Sequence, residues 1–201
     1  MRRARPSVFE RIPTTTRAWA SRVMLLLACV SVVATSRARS EDVASSPYTG
    51  TPFRLTAETS KVTRTLVIRT TQKEKSSDPV SGEVHIQAKA KWTPGDPIQT
   101  PPPSLAISYP DGELTYGSQS GILEPDVSVT VENVTYLDEK CSKAQDCEWT
   151  AQVIFNVQGN SDSGTITAPG TVDVEWTAQA FMHVLDDSSV PKGFTVTVSE
   201  P

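Results

Sequence analysis

Two cysteines and two histidines carry most of the chemistry this chain offers. Cys141 and Cys147 bracket five residues in CSKAQDCEW (141–149), and His85 and His183 are the only histidines. A structural zinc site places two to four residues between neighbouring cysteines and adds further Cys or His ligands. A redox Cys-x-x-Cys has two residues between them. The spacing here fits neither, and it points to a disulfide bracing the loop SKAQD. Closing so short a ring stabilises by roughly 2 kcal/mol in the chain-entropy description.

The histidines sit on the polar parity of two alternating stretches, His85 in EVHIQAKAKW (83–92) and His183 in TVDVEWTAQAFMHV (171–184). If those stretches are neighbours in one sheet, the two rings share an outer face, with Glu83 or Glu175 as a third metal ligand. Two independent surface histidines are the plainer reading. The turns NSDSG (160–164) and DDSS (186–189) bring oxygen ligands but few carboxylates for a calcium loop. Asn, Asp, Ser and Gly are also what turns use without any ion. Asn133-Val134-Thr135 matches the N-glycosylation pattern. Phe181 is the one aromatic of a strong stretch on the outward parity and marks a contact patch. Trp92, Trp149 and Trp176 fall on the apolar parity and are expected in the core. No nucleophile–base or metal constellation emerges, so no catalytic residue and no cofactor is assigned.

The N-terminus announces a destination. Residues 1–40 hold eight arginines and a single acid, Glu10, and the run from Val23 to Ala34 is apolar except for Ser31. A basic start, a short apolar core and small residues after it form a secretory signal peptide, here residues 1–36 with the cut between 34 and 38. The run is too short for a bilayer that needs about 20 apolar residues. Arg2-Arg3 resembles a twin-arginine signal, but it lies far from the core. LLAC (26–29) offers a lipobox alternative, in which Cys29 is lipidated and ties the protein to a membrane; the apolar VSVVA that follows is unlike a lipoprotein tether. The leader suggests a bacterial source and a periplasmic or extracellular location, where spaced thiols pair.

Beyond residue 40 the chain keeps 11 of its 19 basic residues and 22 of its 23 acidic ones, a net charge of −11. Such a domain does not attract nucleic acid or an anionic membrane. The expected partner is an envelope or extracellular protein or a glycan.

Residues 37–50 show no periodicity and read as a flexible tether. Residues 51–201 read as a single all-β domain, because apolar residues recur every second position and not at helical spacing. Strong strands are expected at 83–92, 148–157 and 171–184, with weaker ones at 52–58, 61–70, 104–110, 126–137 and 193–200. ELTYG (113–117) is a hairpin partner for 104–110. In 126–137 the apolar parity switches after Val131, which suggests a β-bulge near Glu132-Asn133. About nine strands with one wet face each form an antiparallel two-sheet β-sandwich, immunoglobulin-like in architecture only; a β-barrel is the alternative. TQKEKSSDPVSG (71–82) reads as a polar hairpin tip. TPGDPIQTPPPS (93–104), with five prolines, reads as a stiff crossover between sheets rather than a docking motif. The functional expectation is an exported, non-catalytic binding or structural module. The alternatives are a glycan-binding or protein-inhibitor module using the cysteine loop or the proline-rich edge, and a metal-dependent enzyme built on His85 and His183.

Overall fold

A computed structural model describes residues 39–73, 78–95, 102–110, 119–140, 146–159, 170–185 and 189–201, together with Trp19, Arg22 and Met24. The chain divides into two compact units, Met1–Ala38 and Arg39–Pro201. In the first, the three described residues are helical. The rest of the leader, Cys29 included, lies outside the described residues.

The second unit is all β. Its strands are β1 (Val43–Ala44), β2 (Tyr48–Thr49), β3 (Phe53–Leu55), β4 (Lys61–Thr71), β5 (Val80–Thr93), β6 (Ser104–Ser108), β7 (Gln119–Ile122), β8 (Ser128–Lys140), β9 (Asp146–Gln158), β10 (Thr171–Val184) and β11 (Thr195–Ser199). They form two antiparallel sheets. The larger runs β1-β10-β5-β8, with β2 and β3 also pairing with β10; the smaller runs β11-β4-β9-β6-β7. The expected two-sheet fold is the one observed.

Alternation explains the long strands. On β5 and β10 every second residue is buried, from Val80 to Trp92 and from Val172 to Val184. Trp92, Trp149 and Trp176 are at most 2% exposed, as their parity requires. Phe155 of the smaller sheet reaches across to Trp176 and Phe53 of the larger, with ring centroids 5.5 and 5.2 Å apart. Buried indoles need acceptors: Trp176 Nε1 donates to Thr51 O at 3.3 Å, and Trp149 Nε1 to Asp138 O at 2.9 Å.

Three expectations need correction. Residues 39–50 are not a tether. They run along β10 through an Arg39–Leu185 bridge, β1 and β2. The register explains why the sequence hid them. Val43 lies opposite Met182, Tyr48 opposite Ala178 and Phe53 opposite Val174, so the pairing slips by one residue between each short strand and the next. Each slip is a bulge, and repeated bulges erase the period-two signal. Pro47 and Pro52 fall in the gaps, where no ladder N–H is needed. Ser40 and Ser45 help fasten this edge. Their backbone N–H groups reach Val184 O and Ala180 O, and their hydroxyls accept from Val184 N and Ala180 N. Gly50 sits where a Cβ would overlap the Trp176 indole.

The bulge in β8 is also elsewhere. Its register against β5 is unbroken from Ser128 to Leu137, and the shift comes between Val80 and Gly82, opposite the end of β8. The apolar parity switches because two polar residues, Asn133 and Thr135, face inward, while Val134 and Tyr136 face out. Asn133 is 3% exposed and its Nδ2 donates to Ile107 O in the opposite sheet at 2.8 Å. Its Oδ1 accepts from Val134 N at 2.8 Å.

The segment 71–82 is not a hairpin tip, and the loop 141–147 likewise joins strands of different sheets. β4 and β9 belong to the smaller sheet and β5 and β8 to the larger, so both connections cross between sheets. The proline-rich segment also crosses, from β5 to β6. ELTYG lies outside the described residues, and the observed partner of β6 is Gln119–Ile122.

Candidate functional site

The outer face of the larger sheet is where the sequence-predicted residues meet. β5 pairs with β10 on one side and β8 on the other, and the registers set outward side chains in rows across the three strands. From one end these rows are Ser128–Lys91–Asp173, Thr130–Lys89–Glu175, Glu132–Gln87–Thr177, Val134–His85–Gln179 and Tyr136–Glu83–Phe181. Successive rows are about 7 Å apart, two residues of strand rise.

The face changes character halfway. The first two rows place Lys91 beside Asp173 and Lys89 beside Glu175, and Arg54 of β3 adds a 2.7 Å bond to Asp173. Lys91 Nζ lies 3.9 Å from Asp126 Oδ1, and the whole group is ordinary solvated surface charge. From the third row onward lysine and arginine disappear, and amides, a hydroxyl, an imidazole and aromatic rings replace them. Two adjoining hollows open there. One of about 550 Å³ is lined by His85, Gln87, Glu132, Thr177 and Gln179, with Pro47 and Gln119 at its margins. The other, of about 520 Å³, is lined by Glu83, Tyr136, Phe181 and His183 together with Arg39, Asp42, Asp138 and Glu139.

The polar side chains of this half are held in place. Gln87 Nε2 donates to Glu132 Oε1 at 2.6 Å, and Gln179 Nε2 to Ser45 O at 2.9 Å. His85 Nε2 meets Glu83 Oε1 at 2.7 Å, and its ring packs against Phe181 with centroids 4.8 Å apart. Each amide has two N–H groups and a carbonyl, so an internal bond leaves capacity for a ligand.

Phe181 and His85 are thus brought together, and His183 is set apart from them. His183 lies opposite Ser81 and His85 opposite Gln179, four positions along β10 from His183 or about 13 Å. Phe181 stands between. His183 is tied instead to Asp42 Oδ1 at 3.0 Å and Ser81 Oγ at 3.1 Å. Glu175 lies opposite Lys89, beyond the reach of either ring. The metal site on His85 and His183 is therefore not formed, because zinc ligands converge within about 2 Å of one ion. Among the described residues no group of three potential ligands converges anywhere.

Cys147 is buried, 4% exposed, on the inner face of β9. Cys141 and the loop to Gln145 lie outside the described residues. The Trp149–Asp138 bond holds the flanking strands together, sheet over sheet. The turn 160–164 and most of 186–189 also lie outside. The Asn133 sequon is occupied by structure: a glycan on Nδ2 would displace the donor to Ile107 and has no path to solvent. A third crevice, about 330 Å³, lies between β8 and β9 beside Trp149. The buried Tyr109 hydroxyl at its wall has no partner among the described residues, and burial pushes its phenol well up.

Gln87, Gln179, Thr177 and Glu132 escape a reading of single strands. Their signal is the end of the facing lysine–acid rows after Lys89 and Glu175, and it appears only when β5 and β10 are aligned.

Comparison with protein-family models, with curated proteins and with solved structures finds no match for this chain.

Proposed function

We propose that this is an exported, non-catalytic protein that works by binding, and that its contact surface is the half of the larger sheet's outer face that carries amides and rings in place of lysines. The observation that carries this is the change of character along β5 and β10, from paired charges at Lys89 and Lys91 to fixed amides and rings around the two hollows. A merely solvated face needs no such division. Pre-ordered side chains lose little freedom on binding, which is how binding surfaces preserve affinity. The leader-like N-terminus and the cysteine spacing support export, and the buried position of Cys147 suits a Cys141–Cys147 disulfide.

The test is retention of the purified protein on cell-envelope preparations from its native host, comparing the wild type with three variants. Phe181→Ala and Gln87→Ala are expected to weaken retention at least tenfold, while Lys89→Ala leaves it unchanged. Equal retention of all variants would place the contact surface elsewhere. A hydrolytic activity removed by one of these face substitutions would make the protein an enzyme and refute the reading.

A further inference from the structure

We infer that the ligand of this face is a neutral polysaccharide, lying along the strands from the Glu132–Gln87–Thr177 row to the Tyr136–Glu83–Phe181 row. The inference rests on the binding role proposed above and adds the chemistry of what is bound.

Charge gives the first argument. Among the described residues no lysine or arginine lines the hollow around Gln87, and Glu132 is its carboxylate. The adjoining hollow has Asp42, Glu83, Asp138 and Glu139 against Arg39. A phosphate-, sulfate- or uronate-bearing chain would meet mostly carboxylates along the path, with Arg39 the one guanidinium among the described lining residues and at its far end.

The backbone gives the second. β5 is laddered on both sides and β10 carries β1, β2 and β3 on its other edge. Extended peptides are typically read by adding to a free strand edge. β8, the last strand of the sheet, keeps a free outer edge among the described residues at the margin of the face, but the lane over β5 and β10 offers side chains only, and Gln, Thr and Glu present the alternating donors and acceptors that an array of hydroxyl groups requires.

Shape gives the third. Tyr136 and Phe181 stand two strands apart in one row, with Glu83 between them. Two strand spacings are about 9.5 Å. The rings therefore flank a lane whose floor is Glu83 and His85. Tyr136 is 40% exposed, and Phe181 is half-buried with its ring propped on His85. Such rings offer apolar faces to the C–H faces of sugar rings, while the neighbouring amides take the hydroxyls. Three rows give the lane a length of about 14 Å between outermost Cα positions, enough for a short run of sugar units.

Affinity electrophoresis tests this, with the mature protein purified from its native host run through gels containing β-glucan, xylan, mannan or polygalacturonate. Retardation by at least one neutral polymer, insensitive to salt, is expected. Thr177→Val keeps the side-chain shape and removes the hydroxyl; it and Phe181→Ala should each weaken that retardation at least tenfold, with near-ultraviolet circular dichroism unchanged. Lys89→Ala should migrate like the wild type. Retardation by polygalacturonate alone, or by none of the four, overturns the inference. If envelope retention still depends on Phe181 in that case, the face remains the binding surface and only the ligand class is wrong. If neither assay responds to Phe181, both readings fall.

Discussion

Replacing Asn133 probes a buried polar side chain that links the two sheets through the core. In Asn133→Ala, Ile107 O loses a buried donor held at 2.8 Å, and Val134 N loses an acceptor at the same distance. Depriving a buried carbonyl of its partner costs about 1–3 kcal/mol. Val134 N is only part-buried, so water restores most of its bond. A loss of about 2–3 kcal/mol follows. A domain of this size shifts by about 2–4 °C per kcal/mol, which gives a fall in melting temperature of about 5–10 °C. Urea unfolding followed by tryptophan fluorescence reads it directly, since Trp92, Trp149 and Trp176 are all buried. Asn133→Asp sharpens the test. A carboxylate there cannot donate to Ile107 O and carries a buried charge, so its folded-state pKa must rise above the unfolded value of about 4. The folded form then holds its proton longer than the unfolded chain. The deficit relative to wild type is therefore small below pH 4 and grows as pH rises through the window between the two pKa values. An Asn133→Ala protein within about 0.5 kcal/mol of wild type, or an Asn133→Asp deficit flat from pH 4 to 7, would refute the cross-sheet bond.

Two further outcomes are expected. Gly50→Ala drives a methyl group into the Trp176 indole and should destabilise by about 1–3 kcal/mol, with a changed near-ultraviolet tryptophan signal; an unperturbed signal would show that the backbone does not lie against the ring. The intact mass of the protein recovered from its native host should rise by two hydrogens on reduction and show an N-terminus between residues 34 and 38. Reduction should lower stability by about 2 kcal/mol. An unchanged mass would remove the disulfide, and an acylated chain beginning at Cys29 would move the cut and tether the protein to a membrane.

What the sequence disclosed follows from how cleanly each strand alternates. β10 could be bounded from its residues alone because nothing interrupts the pattern from Thr171 to Val184. β8 misled because Asn133 and Thr135 take inward positions that an apolar count assigns to Val134 and Tyr136. β1 and β2 were invisible because three slips of register leave no stretch long enough to show a period, whereas β3 falls within the strand expected at 52–58. The candidate face was half legible. Phe181 stands out from its own strand, and His85 from its parity. Their meeting depends on the offset between β5 and β10, which no single stretch encodes, and the same offset separates His183 from His85.

The placing of residues 39–55 against β10 has a consequence for the order in which the chain can assemble. Every ladder bond of that edge waits for residues 172–184, more than a hundred positions downstream. Pairings of such sequence separation form late, because the intervening chain must first be closed into a loop. β5 and β8 can meet long before β10 is made. The first strand to be synthesised is thus among the last to be seated. Until then β10's far edge has no partner, and the newly made N-terminal segment stays an unstructured leash on a partly built sandwich.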